Sequence, residues 1–178
     1  PDDSNNKRTW GGVKTEFFDF YEIAAKHLKG CFPHLKIGGY ASCGFYDIKK
    51  SYIEGANSSP RFEYFIEFFD GFMEYIKKEN CPLDFFSWHS YSDTRATVGY
   101  DNWLHEELKS LGHPELETHL NEWDPYAEEL GTGHHAAEIA AMMIAMQHTK
   151  MSVMCYYDAR LGVSYYAGLF NPMTFQPT

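Results

Sequence analysis

The order of apolar segments along the chain constrains its fold more than any other feature. Four short apolar segments, predicted as strands, alternate with longer segments whose apolar residues recur at helical spacing. The predicted strands cover residues 35–41, 83–91, 116–123 and 151–157, and the predicted helices cover 17–28, 59–76, a segment opening near Asp101, and 133–148. Apolar residues run together in 151–157 and in part of 83–91, instead of alternating with polar ones, which is typical of strands covered on both faces. The order therefore predicts a parallel sheet with helices packed against it.

Two architectures are compatible with this order: part of a (β/α)8 TIM barrel, or an open doubly wound sheet. No G-x-G-x-x-G motif and no P-loop follows any predicted strand, so the nucleotide-binding form of the open sheet has no support. Polar and aromatic residues collect just after each strand, at 40–46, 89–93, 122–126 and 156–160. The active face of a barrel is built in this way, at the carboxyl ends of its strands.

Composition excludes several classes of protein. The 178 residues are 44% hydrophobic and 17% aromatic, which excludes a disordered chain and allows one substantial core. A net charge of -10 argues against a nucleic-acid partner and favours a neutral ligand. The four cysteines form no C-x-x-C pair, which favours free thiols in a reducing compartment. With no membrane-length apolar run and no signal peptide, a cytoplasmic location is favoured, and secretion stays open if a signal lies upstream of Pro1.

Glu122 is the first catalytic candidate. It ends a predicted buried strand, lies beside Trp123 and precedes Pro125, which stops the strand. A carboxylate there could also be solvated or could cap the next helix. His89 ends the preceding strand and could hydrogen-bond the carboxylate and hold it oriented, although a lone histidine is more often a satisfied core residue.

Aromatic residues near these strand ends could stack on the apolar face of a sugar ring, with core packing as the competing explanation. They are Trp88, Tyr91, Trp123, Tyr156 and Tyr157. A metal site at His134, His135 and Glu138 is rejected, because the two histidines fall in a predicted helix N-terminus and no third ligand is specified. A solvated first turn explains them, and neither a metal nor an organic cofactor is expected.

Several segments together resemble clan A glycoside hydrolases, most closely family 39, which holds β-xylosidases and α-L-iduronidases. The similar segments are residues 17–21 with 33–39, 86–91, 120–125 and 168–172. The resemblance implies that residues 1–178 form the C-terminal half of a (β/α)8 catalytic domain, covering roughly strands five to eight with their helices. Where the clan often has Trp at the end of strand eight, this chain has Tyr156 and Tyr157.

The resemblance also implies a mechanism. An Asn-Glu pair marks the acid/base residue at the end of strand four in this clan, so Asn121-Glu122 could be that pair. However, only one predicted helix and one predicted strand follow Glu122 before the terminal loop, and this position suits the nucleophile on strand seven. The acid/base Glu of the family commonly precedes Pro-Asp, so it is expected immediately before Pro1. The implied activity is retaining hydrolysis of β-linked, xylose-containing glycans, and pairing with the N-terminal half or self-association is expected. The alternative is a non-catalytic carbohydrate-binding or scaffold protein.

Overall fold

The computed structural model describes residues 1–3, 10–51, 59–158, 174 and 176, and it contains the alternating elements that the sequence predicts. In chain order they are α1 (Lys14–Cys31), β1 (Gly38–Ser42), α2 (Pro60–Glu79), β2 (Phe85–Ser90), α3 (Thr94–Ser110), β3 (Glu117–Trp123), α4 (Gly133–Met146) and β4 (Val153–Tyr156). Short 3₁₀ helices cover Tyr46–Ser51 and Ala127–Glu129. Two parts of the chain named in the sequence analysis, residues 159–160 and the segment 168–172, lie outside the described residues.

The start of α3 differs from its prediction. The helix begins at Thr94 and not near Asp101, because the side chain of Asp93 accepts a hydrogen bond of 2.8 Å from the backbone N–H of Ala96. An acceptor at this position satisfies one of the four N–H groups that a helix N-terminus leaves without a partner. The same device begins α2, where Ser59 accepts from the N–H of Phe62, and Pro60 follows at the first helical position.

The four strands form one parallel sheet in the order β1-β2-β3-β4. A doubly wound open sheet reverses its strand order at a switch point, whereas here the spatial order follows the chain order throughout. Each strand therefore pairs with the next one in sequence, as in a barrel. The carboxyl ends of all four strands meet at one edge of the sheet.

The core lies between the helices and one face of the sheet. Phe69 of α2, Phe86 and Trp88 of β2 and Leu104 of α3 are each 0% exposed. Successive strand residues point to opposite faces, so Phe85 and His89 project to the other face. There the ring of Phe85 stacks on His119 of β3, with centroids 4.2 Å apart.

Both ends of this layer present uncovered apolar surface. Phe20 and Ile23 of α1 and Ile144 of α4 are more than half exposed, and within the described residues β1 and β4 each pair on one side only. Additional strand-helix units on either side would cover these surfaces. No helix among the described residues is long and apolar enough to span a membrane.

Candidate active site

A β-bulge determines which way Glu122 points. Trp88 of β2 pairs with Leu120 of β3, but the next residue, His89, pairs with Glu122, so Asn121 is an extra residue in β3. In an unbroken register Asn121 would lie opposite His89, and Glu122 would turn toward the helices. The bulge instead places Glu122 on the same face as His89. Bulges commonly re-aim side chains next to active sites.

Tyr91 holds the Glu122 carboxylate. Its hydroxyl donates a short hydrogen bond to Glu122 Oε1. The backbone N–H of Tyr91 donates in turn to the hydroxyl of Tyr46, at 3.2 Å, which anchors the loop after β2. Tyr91 was predicted to present its ring to a sugar, whereas the contact shown here is made by its hydroxyl. That contact fixes one carboxylate oxygen and leaves the other available.

His89 lies beside the same carboxylate oxygen but beyond hydrogen-bond distance. Its Nδ1 is 3.7 Å from Glu122 Oε1, and the side chain is 16% exposed. Burial lowers the pKa of His89 below its ordinary value, and the negative charge of Glu122 partly opposes this. A hydrogen bond to Glu122 is therefore made by Tyr91, whereas His89 lies beside the carboxylate without a hydrogen bond to it.

The N-terminal residues lie close to His89. The negative charge of Asp2 is close enough to raise the pKa of His89. Asp2 is 0% exposed and accepts hydrogen bonds of 3.0 Å from the Ser42 hydroxyl and from the Cys43 N–H, just after β1. The start of the described chain is thereby fixed at the carboxyl edge of the sheet, as is Glu122.

The predicted sugar contacts of Trp88 and Trp123 are wrong. Both indoles are enclosed in the core, at 0% and 1% exposure. Trp88 precedes His89, and Trp123 follows Glu122, so each tryptophan points to the opposite face from its polar neighbour. On the helix side the Trp88 ring lies 5.5 Å from the ring of Phe45.

The two tyrosines after β4 differ in their contacts. Tyr156 pairs with Trp123 across the sheet and packs edge-on against its ring at 5.3 Å, and its predicted sugar contact stays a prediction. Burial and the nearby Asp124 carboxylate raise the pKa of Tyr156 to about 12. Tyr157 is half-buried, and its N–H donates to the carbonyl of Trp123 at 2.9 Å. Its predicted sugar contact stays a prediction.

Sequence reasoning missed one buried pair, Asp124 and His135. His135 Nε2 is 2.7 Å from Asp124 Oδ1, and the residues are 3% and 0% exposed. The sequence predicts a solvated first turn for both histidines of α4. This is wrong for His135, which is buried, and right for His134, which is exposed and bonded to Glu129. The only sequence signal for the pair is an aspartate directly after a buried strand. Among the described residues, no group of three His, Cys, Asp or Glu side chains could hold a metal ion.

This arrangement can do nucleophilic chemistry. A half-exposed carboxylate lies at the carboxyl edge of a parallel sheet, with one oxygen fixed by a tyrosine and a histidine beside it. Such a group can attack an electrophilic carbon without a metal, provided that a second group protonates the leaving oxygen.

Comparison with known proteins gives consistent results. The profile of glycosyl hydrolases family 39 matches residues 3–150. A β-xylosidase from Geobacillus stearothermophilus is 27% identical over 96 residues, which cover 54% of this chain and 15% of that protein. The chain thus spans about a seventh of the length of this relative.

Two solved structures share the fold. A glucosidase from Croceicoccus marinus superposes with a TM-score of 0.73 at 24% identity, over 94% of this chain and 34% of that one. A family 39 β-xylosidase from Caulobacter crescentus superposes with a TM-score of 0.58 at 20% identity, over 90% and 34%. The likeness to these glycosidases shows a TIM-barrel-like fold. The chain covers about a third of the length of each solved chain.

Proposed function

The chain belongs to glycosyl hydrolases family 39, and from this premise we propose that it is part of a retaining glycosidase whose nucleophile is Glu122. The observation that carries the proposal is the position of Glu122. It is aimed by the β3 bulge onto the face of His89 and held by the Tyr91 hydroxyl. A retaining glycosidase requires a carboxylate so held beneath the anomeric carbon.

In the proposed reaction, the free oxygen of Glu122 attacks the anomeric carbon while the bond to the leaving oxygen breaks and the acid/base residue gives that oxygen its proton. A covalent glycosyl-enzyme forms, and water then hydrolyses it. The hydrogen bond from Tyr91 to the other oxygen limits rotation of the carboxylate, so that less orientational freedom is lost at the transition state. No metal or organic cofactor takes part in this proposal.

The acid/base residue is proposed to be a glutamate directly before Pro1. The supporting observation is the anchoring of Asp2 after β1, close enough to His89 to affect its pKa. A residue preceding Pro1 would therefore emerge near the face that carries Glu122. Retention requires the two carboxyl groups to be ~5–5.5 Å apart. It follows that β1 to β4 are proposed as barrel strands five to eight, and residues 1–178 as the C-terminal half of the catalytic domain.

The proposed substrate is a β-linked glycan or oligosaccharide that contains xylose. Support comes from the β-xylosidases among the similar proteins, one by sequence and one by fold. The proposed partner of the chain is the N-terminal half of the barrel, which would cover the open edges of β1 and β4.

The proposal is tested with Glu122→Ala in the full-length protein. Turnover of an aryl β-xyloside should fall by several orders of magnitude, because covalent catalysis is lost while a half-exposed side chain contributes little to folding. Azide should then restore turnover by occupying the space of the missing carboxylate. An α-xylosyl azide product, identified by NMR, fits a nucleophile.

A β-xylosyl azide would contradict this assignment, since it would make Glu122 the acid/base residue. Glu117→Ala is a matched control, because Glu117 begins the same strand, at its opposite end, and pairs with Lys36. Turnover should change little in that variant.

A further inference from the structure

A buried polar pair lies two residues beyond Glu122 and takes no part in the proposed reaction. Asp124 is 0% exposed, His135 is 3% exposed, and Asp124 Oδ1 lies 2.7 Å from His135 Nε2. Burying ionisable groups costs free energy unless they are paired with each other. Burial raises the pKa of Asp124, and the hydrogen bond from His135 is the largest influence that opposes it.

The backbone just after Glu122 is held from three directions at this pair. The N–H of Asp124 donates to the carbonyl of Ser90 in β2 at 3.3 Å, and the carbonyl of Trp123 accepts from the N–H of Tyr157 at 2.9 Å. The Asp124 side chain adds the third connection, to His135 in the first turn of α4. Of these three connections, only the one from Asp124 to His135 ties the end of β3 to a helix.

The position of His135 is itself fixed by the start of its helix. The hydroxyl of Thr132 accepts a hydrogen bond of 3.1 Å from the backbone N–H of His135. Side-chain caps of this kind define where a helix begins. The first turn of α4 is therefore capped, and from it the imidazole reaches back to the residue that follows β3.

We infer that Asp124 and His135 are positioning residues for the nucleophile, which tie the end of β3 to α4 and so fix where the Glu122 carboxylate lies. This inference rests on the proposed function of Glu122. A displacement of about 1 Å in a catalytic group can cost on the order of a hundredfold in rate. Only Trp123 separates Asp124 from Glu122, so loss of the tie is expected to shift the carboxylate.

The experiment compares Asp124→Asn, His135→Gln and the double variant in the full-length protein. We expect each single variant to lower kcat about tenfold to a hundredfold and to leave KM within about twofold, since the pair orients Glu122 and does not touch the sugar. Because the hydrogen bond between Asp124 and His135 is lost when either residue is replaced, the double variant should be no slower than the slower single variant. His134→Gln is the matched control, on the same turn but exposed, and should retain full kcat.

The outcomes separate this inference from the proposed function. If the wild-type protein hydrolyses aryl glycosides and folded Asp124→Asn keeps full kcat, the inference is overturned while the proposed function stands. Single effects that multiply in the double variant also overturn it. If the buried variants do not fold, Thr132→Ala is used instead, because Thr132 is exposed and its hydroxyl caps the first turn of α4. Unchanged kcat in Thr132→Ala overturns the inference. A wild-type protein without glycosidase activity overturns both.

Discussion

At the scale of single residues, Glu122 has two neighbours that act on it differently. Tyr91 donates a hydrogen bond to Oε1, which fixes orientation. His89 lies 3.7 Å from the same oxygen, too far for a hydrogen bond but close enough to stabilise the carboxylate when the imidazole is protonated. Orientation and charge stabilisation in the acid range are thus expected from separate side chains.

The charge state of His89 leads to a prediction about pH. Burial lowers its pKa, so the imidazole is neutral near pH 7 and becomes a cation only in the acid range, where it favours an ionised carboxylate beside it. We expect His89→Ala to move the acidic limb of the kcat/KM profile to higher pH, with little change on the basic limb. The measurement is a pH profile of the full-length protein with an aryl glycoside.

His119→Ala is the control for this experiment. His119 lies on the same face of the sheet, opposite Ser87, but interacts with Glu117 and not with Glu122. Its removal should leave the profile in place. If His89→Ala lowers only thermal stability and keeps the profile of the wild type, His89 has a structural role alone.

At the scale of elements, the sequence predicts the features that depend on local patterns, namely the positions of the described strands and helices. Apolar periodicity locates all four strands and four helices, and Ser59-Pro60 marks the start of α2. The cap at Asp93 was missed because an N-cap precedes the polar residues of the first turn, while the apolar stripe begins later. The burial of Trp88 and Trp123 was predictable in principle, since strand neighbours of site residues point away from the site.

Two features of the site depend on tertiary structure and have no local signal. Nothing in the sequence around Asn121 shows that β3 contains an extra residue, because a bulge is defined by pairing with β2. The Asp124 and His135 pair joins a strand end to a helix eleven residues later, and which side chains meet depends on how α4 packs. The sequence therefore predicts Glu122 as a candidate nucleophile, but it does not predict which residues surround and hold it.

The bulge supports a prediction at this scale. Deleting Asn121 removes the extra residue, so Glu122 directly follows Leu120 and still lies opposite His89, but the bend and added twist of the bulge are lost. The carboxylate should then shift by about 1 Å relative to the Tyr91 hydroxyl, and kcat should fall on the order of a hundredfold. Asn121→Gly keeps the extra residue and is the matched control. Equal losses in the two variants, measured on folded protein, would show that the side chain of Asn121 matters and the bulge does not.

At the scale of the whole molecule, the described structure resembles one segment of a closed barrel, with uncovered surface on both sides. The strand order follows the chain, the outer strands pair on one side only within the described residues, and both end helices expose large apolar side chains. A complete barrel typically takes about 250 residues. We therefore expect catalysis only when the remaining strands are present.

The most direct measurement of the central claim is covalent labelling of the nucleophile. The full-length protein is incubated with a 2-deoxy-2-fluoro-β-xyloside that carries a good leaving group, which forms the glycosyl-enzyme but hydrolyses slowly, and the labelled peptide is mapped by mass spectrometry. We expect one fluoroxylosyl group on Glu122, and none on the 178-residue chain alone, because we propose that the N-terminal half of the barrel supplies the rest of the sugar site. A label on any other residue of the full-length protein would contradict the account.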